Sequence, residues 1–305
     1  MPGGGVITTG AAPRTLWPGV HAIWGQRYDE HPKEYTDLYA ENESDQAYEV
    51  DVQITDFGLG SAKSEGGTMS YAYSGQGPVS YYVHITYGIG YIVTMEEQLD
   101  NLYEVVSRDR AWGNAFSTNT TIETLAALVY NDAFTGQFYL NANGQTLCST
   151  SQPNTTGGSY SNSMALDLME ASIEDGCTLA EGFLSDSGNP IKAIPQTLHV
   201  HYSQQWEAAR ILKSALQNDT ANNAINALLL LGNLPQGVKV SHYFSNQNAW
   251  FMRTNVPKGM QMFWRMRPDF DMDSDFNTKN LLQGTIWRVA FGNSDPRGII
   301  GSNGP

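Results

Sequence analysis

Cysteine is scarce in this sequence, which has only Cys148 and Cys177 among its 305 residues. Neither residue belongs to a spacing that binds a metal ion or forms a redox pair. A disulfide between them is possible, but two isolated thiols in a cytosolic protein are the favoured interpretation. Cysteine chemistry therefore suggests no function for this chain.

Basic residues are also few. The sequence has 17 Lys and Arg against 31 Asp and Glu, which gives a net charge of −14 and a pI near 4.7. A protein whose main task is to grip a phosphate backbone carries basic clusters, and this sequence has none. Its acidity suits a solvated surface, or a surface that must not bind nucleic acid nearby.

No apolar run approaches 18 residues, so we expect no membrane-spanning segment. The first residues, MPGGGVITTGAAP, lack the basic start and apolar run of a secretory signal peptide. We therefore expect a soluble protein that is made and kept in a cytoplasm. Apolar residues make up 41% of the chain, enough for a sizeable core in one large domain or two.

The motifs of common enzymes are missing as well. The sequence has no G-x-S-x-G, no phosphate-binding glycine loop with lysine, and no H-E-x-x-H. Glu96 and Glu97 are neighbours on a predicted helix, so they point to different faces and cannot form a glycosidase pair alone. We predict no enzyme, no catalytic residue and no cofactor.

Two patterns resemble metal sites only superficially. DFDMDSD (269–275) imitates the start of a calcium loop, but Ser274 replaces the glycine and Asn280 replaces the final glutamate. Its alternating carboxylates are more simply the solvated face of a strand. His199 and His201 share a strand face, but no third ligand accompanies them. We therefore predict no metal site.

The strongest pattern lies in residues 79–93, where every odd position is apolar or aromatic. Period-two alternation of β-branched and aromatic residues predicts a strand with one covered face. At about 3.3 Å per residue, the strand would reach roughly 50 Å. A second alternation at 48–54 precedes it, and a stretch rich in Gly and Ser connects the two. Together they predict an extended hairpin that needs a neighbouring surface.

A helix is predicted directly after this strand. Thr94 and Glu97 form a capping box, and an apolar stripe that includes Leu102 continues at helical spacing to residue 134. An unbroken helix of this length would span about 60 Å, more than a compact globule of this size can hold. Either the helix breaks at Gly113 or at 117–121, or the molecule is flat. We favour the flat molecule.

The remaining segments predict an α+β fold. Residues 1–47 carry aromatic residues without a sustained period, so they either lie across another surface or form an ordinary packed extension. Residues 137–163 are typical of a long surface loop. Beyond it we expect helices at 167–184, from 206, and at 225–231. We also expect strands at 198–202, 238–242, 250–253, 259–267 and 285–291.

An ordered set of motifs then resembles a known family. The set comprises HITYGIGYIVTMEE (84–97), LCSTSQPNTTGG (147–158), INALLLLGNLPQG (225–237), NAWFMRTNVPKGMQMFWR (248–265), DSDFNTKN (273–280) and FGNSDPRGIIGS (291–302). From about residue 15 onward, the chain resembles the major capsid proteins of tailed bacteriophages, in particular those similar to the Mu-type head subunit.

The resemblance implies the Hong Kong 97-type shell fold. Its expected parts are an N-terminal arm (1–47), an E-loop hairpin (48–94), a spine helix in the peripheral domain (95–137), a mixed α/β axial domain (138–250), and strands that return to the peripheral domain (251–305). It also implies hexamers and pentamers that close into an icosahedral shell around double-stranded DNA, which is held without sequence-specific contact. Expected partners are a separate scaffolding protein, a portal and possibly a decoration protein, with localisation in the virion after assembly in the host bacterial cytoplasm.

Six residues are candidates for contacts between subunits: Lys63, Glu65, Trp17, Trp24, Asp295 and Arg297. Some relatives cross-link subunits through an E-loop lysine, but no Asn and Glu matching Lys63 can be picked out. Residues 1–47 are too short for the cleaved scaffolding region of the fold's prototype. Two alternatives stay open: an encapsulin-like compartment around an enzyme, and a carbohydrate-active or adhesive β-rich protein.

Overall fold

The computed structural model describes residues 13–99, 103–216 and 225–304, which form a mixed α+β fold as predicted. The helices are α1 (Pro13–Glu30), α2 (Tyr35–Leu38), α3 (Met95–Leu99), α4 (Tyr103–Asn131), α5 (Glu170–Glu181), α6 (Gln205–Lys213) and α7 (Ala227–Leu231). In the described part of the chain, no helix is both long and apolar enough to cross a membrane.

Most of the strands belong to two main sheets. The strands are β1 (Ala40–Glu43), β2 (Tyr48–Ile54), β3 (Gln76–Val83), β4 (Ile85–Val93), β5 (Gln152–Pro153), β6 (Ser159–Tyr160), β7 (Ser163–Met164), β8 (Pro195–His201), β9 (Val238–Ser241), β10 (Trp250–Thr254), β11 (Met260–Ser274), β12 (Leu281–Asn293) and β13 (Ile299–Ser302). A four-stranded sheet has the order β1-β11-β12-β4, and a five-stranded sheet has the order β7-β13-β10-β8-β9. Two further pairs, β2-β3 and β5-β6, stand outside these sheets.

Helix α4 packs on the four-stranded sheet through an alanine-rich face. Ala111, Ala115, Ile122 and Ala126 are fully buried, and small side chains let the helix approach the sheet closely. The helix passes through Gly113 and 117–121 without interruption, so the suggested break is wrong. At 1.5 Å per residue, its 29 residues span about 43 Å. Residues 100–102, and with them Leu102 of the predicted stripe, lie outside the described residues.

The N-terminal segment is better ordered than its sequence indicated. Helix α1 packs on α4 and β11, where Trp24 stacks between Tyr28 and Phe270 with ring centroids 5.0 and 5.6 Å away. Strand β1 then pairs in parallel with β11 at the sheet edge. The described part of 1–47 is therefore the packed extension that was one of the two alternatives, and it has regular structure that the sequence did not indicate. Pro18, Gly19 and Gly25 had obscured the helix because proline and glycine are poor helix formers.

The predicted strand at 79–93 is divided at His84. Strand β3 pairs with β2 to make the hairpin, whereas β4 pairs with β12 inside the four-stranded sheet. The buried His84 ring lies between them, with Nε2 3.1 Å from Ser44 Oγ. The hairpin therefore ends at Val83, and the boundary placed at residue 94 is wrong.

The C-terminal boundaries also differ from the prediction. Strands β11 and β12 lie in the four-stranded sheet, but β10 and β13 pair with each other in the five-stranded sheet. Residues 251–305 are therefore divided between the two sheets. The chain passes from the five-stranded to the four-stranded sheet between β10 and β11, and it returns to the five-stranded sheet after β12.

Residues 137–163 are not a simple surface loop, because Leu147, Cys148, Gln152 and Asn162 are buried. Asn162 donates through Nδ2 to three backbone carbonyls, including that of Ile299 at 3.2 Å. Cys148 and Cys177 are free and buried, as the isolated-thiol interpretation expected. Burial raises the pKa of the Cys177 thiol to about 11, so this group stays protonated and unreactive at neutral pH.

Candidate functional site

The root of the β2-β3 hairpin is held against the four-stranded sheet by Tyr82. This side chain is 3% exposed, and its ring lies 4.7 Å from that of Phe263. The ring packs over Gly292, where an added Cβ would lie 2.8 Å from it. The Tyr82 hydroxyl is 2.5 Å from Ser294 Oγ. Glycine at 292 is thus required for the tyrosine to reach this position.

A second set of contacts joins the hairpin to the turn at 185–189 beside the five-stranded sheet. Asn189 Nδ2 donates to Asp56 Oδ2 at 2.9 Å and to the Phe57 carbonyl at 2.8 Å. Ser187 Oγ donates to the Asp56 carbonyl at 2.6 Å. Burial opposes ionisation of Asp56, but hydrogen bonds to its carboxylate from the Asn189 side chain and from Ser185 and Ser187 hold the Asp56 pKa below its usual value. The hairpin is therefore fixed as far as residue 57.

A buried ion pair lies beneath this turn. Arg297 Nη2 donates to Asp186 Oδ1 at 2.7 Å and to Asn154 Oδ1 at 2.8 Å. Asp186 Oδ2 in turn accepts from Gln53 Nε2 of β2 at 3.1 Å. Asp186 thereby connects the hairpin to the 3₁₀ turn that precedes β13.

The position of Arg297 corrects the sequence prediction. Its side chain is 4% exposed, and its guanidinium also lies 3.6 Å from Asp295. Burial raises the pKa of Asp295, while the charge of Arg297 opposes that rise. The burial of Arg297 within the subunit argues against an external contact by this side chain, whereas Asp295 is half-buried and its role in contacts between subunits stays a prediction. Asp186 was missed because it lies far from Arg297 in sequence and no local pattern connects them.

Trp24 is another correction. Its side chain is 5% exposed, and Nε1 donates to Asn114 Oδ1 of α4 at 3.0 Å. A tryptophan enclosed in this way supports the subunit core rather than an external contact. Trp17 lies in α1, but its side chain is outside the described part.

One face of the hairpin is apolar and uncovered. The cross-strand pairs Tyr48–Val83 and Val50–Tyr81 all have side chains between 44% and 66% exposed. Ile54 on the same strand is 70% exposed. Of the predicted covered face of 79–93, the subunit leaves Tyr81, Val83 and Ile85 exposed and buries only Val93 fully.

The tip of the hairpin is more exposed still. Residues 56–66 and 68–73 are all exposed, and they include Leu59 at 86%, Tyr71 at 91% and Tyr73 at 90%. Lys63 and Glu65 are exposed here too. Their role in contacts between subunits stays a prediction. Large apolar side chains clustered at an exposed tip are typical of an interaction surface.

The suggested metal sites have no support in the described ranges, where no three His, Cys, Asp or Glu side chains are placed to bind an ion. His199 is fully buried, and burial lowers its pKa to about 3, so the ring is neutral. Asp269, Asp271 and Asp273 are exposed on β11, as expected for a solvated face.

Comparison with known proteins agrees with this architecture. The phage capsid protein family matches residues 79–302, whereas no curated protein matches the chain. A virus-like particle from Pyrococcus furiosus has a similar structure, with 10% identity and a TM-score of 0.54 over 93% of this chain and 98% of that one. A structure from Microbacterium phage Oxtober96 gives 8% identity and a TM-score of 0.56 over 89% and 90%.

A third similar structure is the capsid of a native GTA particle, at 11% identity and a TM-score of 0.56 over 89% of this chain and 90% of that one. At such low identities these likenesses establish the fold, and the family match covers well over half of the chain. The chain belongs to the phage capsid protein family and has the Hong Kong 97-type fold of tailed-phage major capsid proteins.

Proposed function

We propose that this chain is the major head subunit of a tailed phage. It assembles as hexamers and pentamers into an icosahedral shell that encloses double-stranded DNA. The β2-β3 hairpin is its E-loop, α4 its spine helix, and the four- and five-stranded sheets belong to its peripheral and axial domains. The observation that carries the proposal is the uncovered apolar face and tip of the hairpin.

The physical argument concerns apolar area. The exposed pairs of the hairpin face and the aromatic side chains of the tip remain in water unless another surface covers them. Covering apolar surface gains about 25 cal/mol per Å², and a neighbouring subunit can supply the cover. Because the hairpin of one copy would lie on a different part of the next, the contact is heterologous and generates rings.

A second uncovered surface supports the same proposal. Trp206 of α6 is 69% exposed, and Leu230 and Leu231 of α7 are exposed to a similar degree. Helix α6 packs beside β9, the edge strand of the five-stranded sheet, and α7 packs on α6. In a capsomer this edge would meet a different surface of the neighbouring copy near the central axis.

The charge of the chain suits a DNA container. With a net charge of −14, the wall repels packaged phosphate and avoids sequence-specific contact. We propose that a separate scaffolding protein and a portal act in assembly, and that a decoration protein is a further possible partner. Assembly would take place in the bacterial cytoplasm, and the final location would be the virion.

A deletion of Ser61–Ser70 tests the proposed role of the hairpin tip. Because these residues are exposed, apart from the half-buried Gly67, the deletion should leave the subunit folded while shells fail to close or lose stability. Circular dichroism checks the fold, and electron microscopy checks the particles. Normal, heat-resistant shells would refute the proposal, and unfolded protein would show that the tip supports the core.

A matched variant sharpens this test. Replacing the same ten residues with Gly and Ser keeps the length of the tip but removes its larger side chains. Shells formed by the replacement but not by the deletion would show that assembly requires the length of the tip rather than its larger side chains.

The ratio of absorbance at 260 and 280 nm in purified particles then distinguishes a DNA shell from a compartment around protein cargo.

A further inference from the structure

Three elements meet at a corner that the proposed assembly function does not use, and one carboxyl group there is buried. Glu123 of α4 is 4% exposed, and its Oε1 accepts the backbone N–H of Glu34 at 2.8 Å. Its Oε2 is buried without a hydrogen-bond partner among the described residues. Glu34 lies in the segment between α1 and α2, so this bond ties the N-terminal region to the long helix.

The same segment is tied to the five-stranded sheet. Glu34 Oε2 accepts the backbone N–H of His242 at 3.0 Å, and Glu34 Oε1 lies 2.6 Å from His242 Nδ1. Lys239 Nζ of β9 pairs with Asp37 Oδ1 of α2 at 2.9 Å. One short segment, residues 31–39, therefore bridges the helix and the sheet.

Two carboxyl groups converge at this corner, and one of them is buried. Burial raises the pKa of Glu123 to about 8, and the negative charge of Glu34 adds to the rise, while backbone N–H groups of Glu34 and Tyr35 oppose it. A metal ion could neutralise such a pair. However, no three suitable ligands converge anywhere in the described residues. A proton on Glu123 removes one of the two negative charges without a further ligand.

We propose that Glu34, Glu123 and His242 form a proton-linked latch, which fastens segment 31–39 to the long helix and the five-stranded sheet when Glu123 is protonated. The other titratable or charged groups that face Glu123 are Tyr35 and Asp37 from the segment and α2, and Tyr243 after β9. Lys239 faces Asp37 from β9. Loss of the proton places a second negative charge beside Glu34 and favours opening.

The direction of the pH dependence follows from how many protons the closed and open states bind. The Glu123 pKa is 4.5 when the group is free and about 8 when the latch is closed, so the closed state holds more protons between these values. Stability of the closed state is full below about pH 4.5 and falls as pH rises towards 8. If the opened segment frees Glu123, the opening equilibrium should rise roughly 10- to 100-fold between pH 6 and pH 9.

Hydrogen exchange of assembled particles tests this inference. When the measured rates are corrected for intrinsic exchange, the opening equilibrium of the wild-type peptide covering 31–39 should rise roughly 10- to 100-fold between pH 6 and pH 9. Glu123→Gln keeps an oxygen acceptor but cannot ionise, so its opening should change less than about threefold over the same range. Glu181→Gln, on the exposed end of α5, is the matched control and should behave as the wild type.

Two outcomes overturn the proposal: opening in the wild type that is independent of pH, or an equal pH dependence in Glu123→Gln. Should Glu123→Gln fail to fold, Glu34→Gln decides instead, because it removes the negative charge that adds to the rise of the Glu123 pKa caused by burial. A smaller pH dependence in Glu34→Gln supports the latch, and an unchanged one refutes it.

Discussion

The root and the tip of the β2-β3 hairpin lie in one continuous stretch of chain, yet they are held very differently. At the root, Tyr82 is buried against the four-stranded sheet, and Asp186 links Gln53 to a buried arginine. At the tip, residues 58–66 and 68–73 are exposed, and large apolar side chains among them face solvent. The root is thus specified by the subunit, whereas the tip has side chains suited to a surface that the subunit does not supply.

The largest effect should come from breaking the buried ion pair at the root. Asp186→Ala leaves Arg297 with only the more distant Asp295 as an acid partner. An uncompensated buried charge costs about 3–5 kcal/mol, and the hairpin also loses its bond from Gln53. Urea unfolding of dissociated subunits, followed by circular dichroism, measures the loss.

Asp175→Ala on the exposed face of α5 is the control for this variant and should change the free energy of unfolding by less than about 0.5 kcal/mol. A loss below about 1 kcal/mol in Asp186→Ala would show that Asp295 and water satisfy Arg297. The root would then depend on Tyr82 alone.

A smaller effect is expected from the hydroxyl of Tyr82. Tyr82→Phe keeps the ring over Gly292 but removes the hydrogen bond with Ser294. The expected cost is about 1 kcal/mol in the free energy of unfolding. Tyr81→Phe changes the adjacent residue on the exposed face, so it should cost nothing measurable in the subunit. Equal effects of the two substitutions would contradict the assigned faces of β3.

The sequence predicted the helices and strands better than it predicted which surfaces they pack against. The long helix was identifiable because its apolar residues recur at helical spacing. The alternation in 79–93 correctly indicated strands, but alternation reports only which side chains share a face. It carries no information on whether the subunit or another molecule covers that face, so the division at His84 was missed.

Other parts had no usable local signal. Strand β1 has the sequence AENE, whose acidic residues are poor strand formers, and it forms because β11 offers a free edge. Asp186 and Arg297 meet only after the fold brings distant segments together. The two aspects of the site that were predictable, the hairpin and its glycine-rich tip, are those encoded in neighbouring residues.

The smallest effect on the subunit, and the sharpest test of the difference between root and tip, should come from Tyr73→Ala. Tyr73 is 90% exposed, so its removal should change the unfolding free energy of dissociated subunits by less than about 0.5 kcal/mol. If a neighbouring copy covers the tip, the same substitution removes buried aromatic area from every subunit contact, and shells should dissociate at lower urea concentrations. Light scattering follows dissociation of the particles, and circular dichroism follows unfolding.

Thr68→Ala, at another exposed position of the tip, controls for a small change of side chain there. Shells of Tyr73→Ala that resist urea as well as the wild type would show that this side chain stays in water after assembly. The apolar face of β2 and β3 would then have to supply the contact without it.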